Sequence, residues 1–272
     1  MKFLAILIAI FFYRNWLGDN PVRAVVPFDR YRSVFSRMEL SETARYLFCV
    51  GLPVLVLWLI SLAIADWIAG LLWLIVCVLV LIYGIDIYDE ELACDDQLSW
   101  LRSLNEDNDL SEAVQKQADF RLRISFEVFQ SLHPALFWFL LLGPIGTLIY
   151  AVSRDYLEGL DGDDETPELA ERVVYWMEWI PVRVTGFIFA LLGDFAACFG
   201  QWLRTLTDTQ TSISDTIECY ARFALDESRD YGDDITTFVG AAESETVELR
   251  QLLDRTLWGW VGVAAIVVVI GW

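Results

Sequence analysis

The sequence predicts an all-α, polytopic helical membrane protein with amphipathic helices in its water-facing segments, and three observations carry that reading. Hydrophobic residues make up 56% of the 272 and the mean hydropathy is +0.44, above the roughly 45–50% apolar usage of soluble domains. Yet 39 acidic against 19 basic residues leave a formal charge of -20, so apolar and acidic residues must occupy separate segments. Between the apolar runs, hydrophobic residues recur at three- and four-residue spacing, the period of a helix. The acidity also disfavours nucleic acid as a partner, because no basic patch offsets it. Five cysteines with no CxxC pair do not make a disulfide framework.

Residues 3–17 open with the apolar stretch Phe3 to Phe12, which covers only about 15 Å as a helix. It is expected to be partly or fully embedded and, without a small-residue cleavage site, retained. The runs 44–65 and 67–83 are separated by Asp66 alone. The first reaches roughly 33 Å as a helix, enough for a span, and the pair forms a tight hairpin. Runs 134–152 and 179–199 are also long enough to cross. Gly143-Pro144 and Gly146 interrupt the first, behind His133 as a boundary residue, and the second carries Arg183 and Asp194. Those two charges need partners, since a charge facing lipid costs about 2.5–3.5 kcal/mol or more. The last run, 256–272, is rich in Val and Ile, with Trp258, Trp260 and Trp272 as interfacial anchors. The whole of 1–272 reads as a single membrane domain. Six arginines between Arg14 and Arg45 make that loop the net-positive one, which places it in the cytoplasm. The helical loop regions 84–133 and 200–255 then return to the same side.

Residues 111–132 read as an amphipathic helix through Leu110, Val114, Ala118, Leu122, Phe126 and Phe129, with Ser111 as its cap. Similar stripes run through 202–224 (Leu203, Leu206, Ile213, Ile217, Tyr220, Ala221) and 246–257 (Val247, Leu249, Leu252, Leu253). Three such helices on one side are expected to pack as a cap over the spans, or each to lie on the bilayer surface; their acidity favours the cap, because anionic lipid repels it. The acidic turn 160–166 could offer oxygens to Mg²⁺ or Ca²⁺ but lacks the spacing of an EF-hand, so it reads as a solvated loop.

No Walker-type, GxSxG or HExxH motif occurs. Chemistry is instead suggested by the turn Gly18-Asp19-Asn20-Pro21-Val22-Arg23 and by Trp179-Ile180-Pro181-Val182-Arg183, which sets a helix breaker beside an intramembrane arginine. Pro181 should free the carbonyl near position 177 for a guanidinium. Arg183 is expected to pair with Glu178, Asp194 or Asp19.

These stretches, with Pro134-Ala135-Leu136-Phe137-Trp138, Gly143-Pro144-Ile145-Gly146 leading to Tyr150, and Ala190-Leu191-Leu192-Gly193, carry a family likeness. In order and spacing the chain resembles the β-lactamase-regulatory membrane family of AmpE and, more widely, the adenosylcobinamide-phosphate synthases of the cobalamin pathway. The likeness implies a non-catalytic regulator or sensor of the bacterial inner membrane, linked to cell-wall turnover and β-lactamase induction. Its partners would be the lipid bilayer and a small ligand or protein. Where the synthases carry Asn-Thr-Leu-Asp beyond the tyrosine matching Tyr150, this chain has Arg154-Asp155-Tyr156-Leu157. Where they carry an Asp pair and an Asn before Pro-x-Arg, it has Val174-Tyr175 and Glu178. These departures imply that the ligase chemistry is lost and that no cofactor is needed. An ATP- and Mg²⁺-dependent amide-forming synthase remains the alternative, as does a small permease with Arg183 and Asp194 lining its path. The candidate ligand- or partner-binding residues are Asp19, Arg23, Tyr150, Asp155, Glu178, Pro181, Arg183 and Asp194, with no catalytic or metal-binding residue assigned.

Overall fold

Apolar runs and amphipathic segments alike become helix in the computed structural model, which describes residues 2–15, 20–25, 28–36, 41–63, 69–160, 168–226 and 229–270. Among these residues there are twelve α-helices and no strand. Asp19, Asp66 and the acidic residues 161–166 lie outside them. The chain forms two compact units, one of residues 1–87, 131–179 and 261–272, the other of residues 88–130 and 180–260.

The first unit holds α1 (Lys2–Asn15), α2 (Pro21–Val25), α3 (Phe28–Ser36), α4 (Glu42–Ala63), α5 (Ala69–Gly84) and α8 (Pro144–Glu158). It also holds the C-terminal parts of α7 (Leu110–Leu142) and α12 (Ile235–Val269) and the start of α9 (Glu168–Leu192). The runs expected at 44–65 and 67–83 appear as α4 and α5. Of the twelve helices, α4, α7 and α12 are long and apolar enough to cross a membrane. α5 packs against α1 and α8, and α4 packs against α8. Tyr46, Cys49, Val50, Tyr83, Ala151, Val152 and Tyr156 are buried where these helices meet. Gly84 permits the closest approach, since a Cβ there would lie 2.4 Å from the Thr147 methyl.

The break expected at Gly143-Pro144 is present. Gly143 takes a φ of 68°, a conformation cheap only for glycine, and Pro144 opens α8 where its missing N–H costs nothing. His133, expected at a boundary, is instead buried inside α7, which runs on through Pro134 to Leu142. Pro181 likewise lies within a continuous α9. Its missing N–H deprives the Met177 carbonyl of its intrahelical donor, and the donor that replaces it is not a guanidinium. The Trp138 indole N–H donates to this oxygen at 2.8 Å. Trp138→Phe is therefore expected to cost about 1–3 kcal/mol, the penalty for an unsatisfied buried acceptor. Thermal unfolding in detergent checks this, and the cost should shrink in a Pro181→Ala background that restores the backbone donor.

The second unit contains α6 (Glu90–Ser103), the N-terminal part of α7, the remainder of α9, α10 (Phe195–Thr205), α11 (Ile213–Leu225) and the start of α12. Leu101, Ala113, Ile235, Phe238 and Ala242 form one buried cluster here. Three expectations need correction. Asp109, not Ser111, caps α7, accepting the Ser111 amide at 2.8 Å. Those amides hold its carboxyl below the usual range. The buried face of α7 runs through Ala113, Gln117, Phe120, Arg121 and Ile124, about one residue round from the stripe that hydrophobicity alone marks. Finally, the stripe at 246–257 and the run from 256 belong to one helix, α12, while the run 179–199 is divided by Gly193-Asp194 between α9 and α10.

Candidate functional site

Asn20 organises the first unit's polar centre. Its side-chain amide donates to the Ile82 and Ile85 carbonyls, each at 2.7 Å, capping the frayed end of α5. Its oxygen accepts the Val22 and Arg23 amides at 3.0 and 3.3 Å, starting α2 as an N-cap does. Arg23 is thereby delivered to the end of α5. Its Nε donates to the Tyr83 carbonyl at 3.1 Å, and its guanidinium lies 3.2 Å from Asp155 and 3.7 Å from Asp86. Asp155 also accepts the Tyr83 hydroxyl at 2.7 Å. Burial pushes the Asp155 carboxyl up despite the opposing pull of Arg23 and Tyr83.

One helical step earlier, Arg154 donates to Asp86 at 2.6 Å and to Glu158. Two guanidinium groups thus share Asp86. Tyr150, one turn before Arg154 on α8, donates to Glu178 of α9 at 3.0 Å. Tyr46 and Ser153 close the far side with a 2.9 Å hydroxyl pair. The result is a partly buried ion-pair cluster on α2, α5, α8 and α9, with Asp86 and Glu158 at its exposed edge.

Of the residues singled out by sequence, Arg23, Tyr150, Asp155 and Glu178 belong to this cluster. Asp19 lies outside the described residues. Pro181, Arg183 and Asp194 belong to the second unit. There Arg183 donates to the backbone carbonyls of Thr205 and Asp208, at 3.4 and 2.6 Å, placing its charge at the C-terminal end of α10 where the helix dipole favours it. Asp194, expected to pair with it, accepts the Ala197 amide at 3.1 Å as the N-cap of α10. Sequence reasoning passed over Tyr83, Asp86 and Arg154. The available signal was Tyr83-x-x-Asp86 at the exit of an apolar run, beside an arginine adjacent to Asp155.

The second unit has a polar network of its own. Arg121 donates to Glu218 and Glu245, each at 2.7 Å. Gln117 and Tyr231 also donate to Glu245, both at 2.8 Å, and Gln97 donates to Gln117 at 2.8 Å. Burial and the Glu245 carboxylate push the Tyr231 hydroxyl up to about 12.

No curated protein and no solved structure matches the chain. The match to known proteins comes from a family model that runs from α3 into α12; it takes in the second unit's network and, of the first unit's, all but Asn20 and Arg23, which precede it. Residues 28–247 match the family described as regulatory signalling modulator protein AmpE, and with three helices able to span a bilayer the chain is a membrane protein that belongs to that family.

Proposed function

We infer that this regulatory membrane protein is a multi-pass sensor of the bacterial inner membrane that couples cell-wall turnover to β-lactamase induction. The family assignment over residues 28–247 is the observation that carries this reading. The cluster of Arg23, Tyr150, Asp155 and Glu178 is its ligand- or partner-responsive site, acting through the four helices that meet at it. Its chemistry supports a switch better than a synthase. The carboxylates a synthase would offer to Mg²⁺ and ATP are committed to protein donors, Asp155 to Arg23 and Tyr83, and Glu178 to Tyr150. A ligand that takes one of these groups breaks pairs on α2, α5, α8 and α9 together, so a local event reaches four helices.

The test is complementation of a deletion strain, reading β-lactamase activity after exposure to a β-lactam. The intact protein should restore the normal induction response. Arg23→Lys and Asp155→Asn should reach the membrane in normal amounts yet fail to restore it, because lysine cannot reproduce a forked guanidinium contact. An unchanged induction response in the deletion strain would remove the assignment to β-lactamase control. Amide formation driven by ATP and Mg²⁺ in purified protein, lost in Glu178→Ala or Asp155→Ala, would restore the synthase reading.

A further inference from the structure

Leu203 lies on the stripe that periodicity assigns to the protein interior, yet it is 53% exposed. It has company. α10 lies antiparallel to the end of α9, with the Trp202 indole donating to the Arg183 carbonyl at 2.7 Å and Phe187 packed on Trp202 at 5.5 Å. Phe195, Phe199 and Trp202 stack in succession along α10, their rings 5.0 and 5.5 Å apart. Phe195 is 49% exposed and Leu191, across the turn on α9, 58%. Phe187, Leu191, Phe195, Phe199, Trp202 and Leu203 thus form one apolar face, while Gln201 and Arg204 occupy the other side of α10.

Two observations identify what covers this face. The α9 side of the hairpin meets α12 where its apolar stretch begins, since a Cβ on Gly259 would lie 2.5 Å from Ile188 and 3.6 Å from Leu192. The neighbouring Trp258 is 58% exposed, as an interfacial anchor should be. The apolar face is therefore continuous with the lipid-facing surface of a membrane-crossing helix. Length adds the second. α9 is continuous from Glu168, but Glu168, Glu171, Arg172 and Glu178 leave only residues 179–192 as its apolar part; that part and α10 rise roughly 20 and 16 Å as helix, short of the hydrocarbon thickness of about 30 Å, and the chain turns at Gly193-Asp194 instead of continuing.

We propose that the α9–α10 hairpin is a monotopic membrane element, which lies in the bilayer interface with Phe187, Leu191, Phe195, Phe199, Trp202 and Leu203 among the acyl chains. Arg204 and the Asp194 cap stay at headgroup level, while the Gln201 amide donates to the Cys219 sulfur of α11 at 3.4 Å. An aromatic and aliphatic face opposite a polar one is the composition such interfacial helices use. The partner is the lipid surface itself, and this reading stands whether or not the induction role does.

The experiment places nitroxide labels at Phe195→Cys and Leu203→Cys, on the apolar face, and at Arg204→Cys. It uses the full chain with Cys219→Ser, reconstituted into phosphatidylcholine vesicles. Collision with oxygen, which partitions into lipid, is compared with collision with a water-soluble nickel chelate. Labels at 195 and 203 should show an oxygen-to-nickel ratio several-fold higher than the label at 204. Equal, nickel-dominated collision at 203 and 204 would mean a wet surface and would overturn the proposal. Shielding of 195 and 203 from both reagents would overturn it in favour of a protein cover, either a second copy or another chain. In sealed vesicles, an impermeant maleimide should reach Asp194→Cys and Arg204→Cys from the same side, whereas opposite sides would show that the segment crosses.

Discussion

Arg121→Ala is expected to destabilise the second unit by about 3–5 kcal/mol, because removing one partner of a buried pair leaves an uncompensated charge. Arg121 bridges Glu218 and Glu245 with side-chain exposures of 10%, 17% and 4%. Glu245 would keep the Gln117 and Tyr231 donors, whereas Glu218 would lose its guanidinium. Arg102→Ala is the comparison, since the Arg102–Glu243 pair is 2.8 Å long but its arginine is 67% exposed. An exposed pair of that kind is worth about 0–1 kcal/mol. Denaturant unfolding in detergent, with hydrogen exchange read on α11 and α12, measures both. Equal costs at the two positions would show that the Arg121 network contributes no more than a surface pair.

The same network shows why part of the molecule could not be read from sequence. Continuous apolar runs mark α4 and α5; in α4, long and apolar enough to cross a membrane, the reason is that a span must satisfy its backbone internally and present carbon outward, a constraint that acts locally. The inner face of α7 is different. Gln117 and Arg121 lie in it, so a search for apolar spacing shifts to Val114 and Ala118 and misses the true face by about one residue. Partners such as Glu218 and Glu245, far along the chain, impose no local pattern. Arg183 illustrates a second limit. A charge in an apolar run is expected to seek a carboxylate, but the carbonyls at the end of a helix are also anionic in effect, and Thr205 and Asp208 supply them. In the first unit, the turn Asn20-Pro21-Val22-Arg23 was visible as a feature, and so were Tyr150, Asp155 and Glu178. What joined them, Tyr83 and Asp86 at the end of α5, carried no helix-period signal because α5 ends at Gly84.

Gly186→Val is expected to destabilise the packing of α9 on α11 by about 3 kcal/mol or somewhat less. A glycine inside a helix costs roughly 1 kcal/mol relative to alanine, so its presence in the middle of α9 calls for a reason of packing. A Cβ at this position would lie 2.3 and 2.5 Å from one edge of the Tyr220 ring and 2.9 Å from its Cγ. Rotation of the ring about its own axis cannot clear a contact that includes Cγ, and Tyr220 is fully buried. The tyrosine is also fixed at its far end, where its hydroxyl meets Thr205 at 2.7 Å, and at its backbone, where its carbonyl lies 3.5 Å from the Cys198 thiol. α11 must therefore move away from α9, carrying these contacts with it. A cycle with Tyr220→Leu separates this account from a simple loss of helix propensity. Tyr220→Leu alone should destabilise by opening a cavity, but in the Gly186→Val background it should cost much less, because the smaller side chain relieves the overlap. A coupling above about 1 kcal/mol between the two changes is the expected result for groups in direct contact. Strict additivity would show that Gly186 does not seat the Tyr220 ring, and the contact between α9 and α11 would need another explanation.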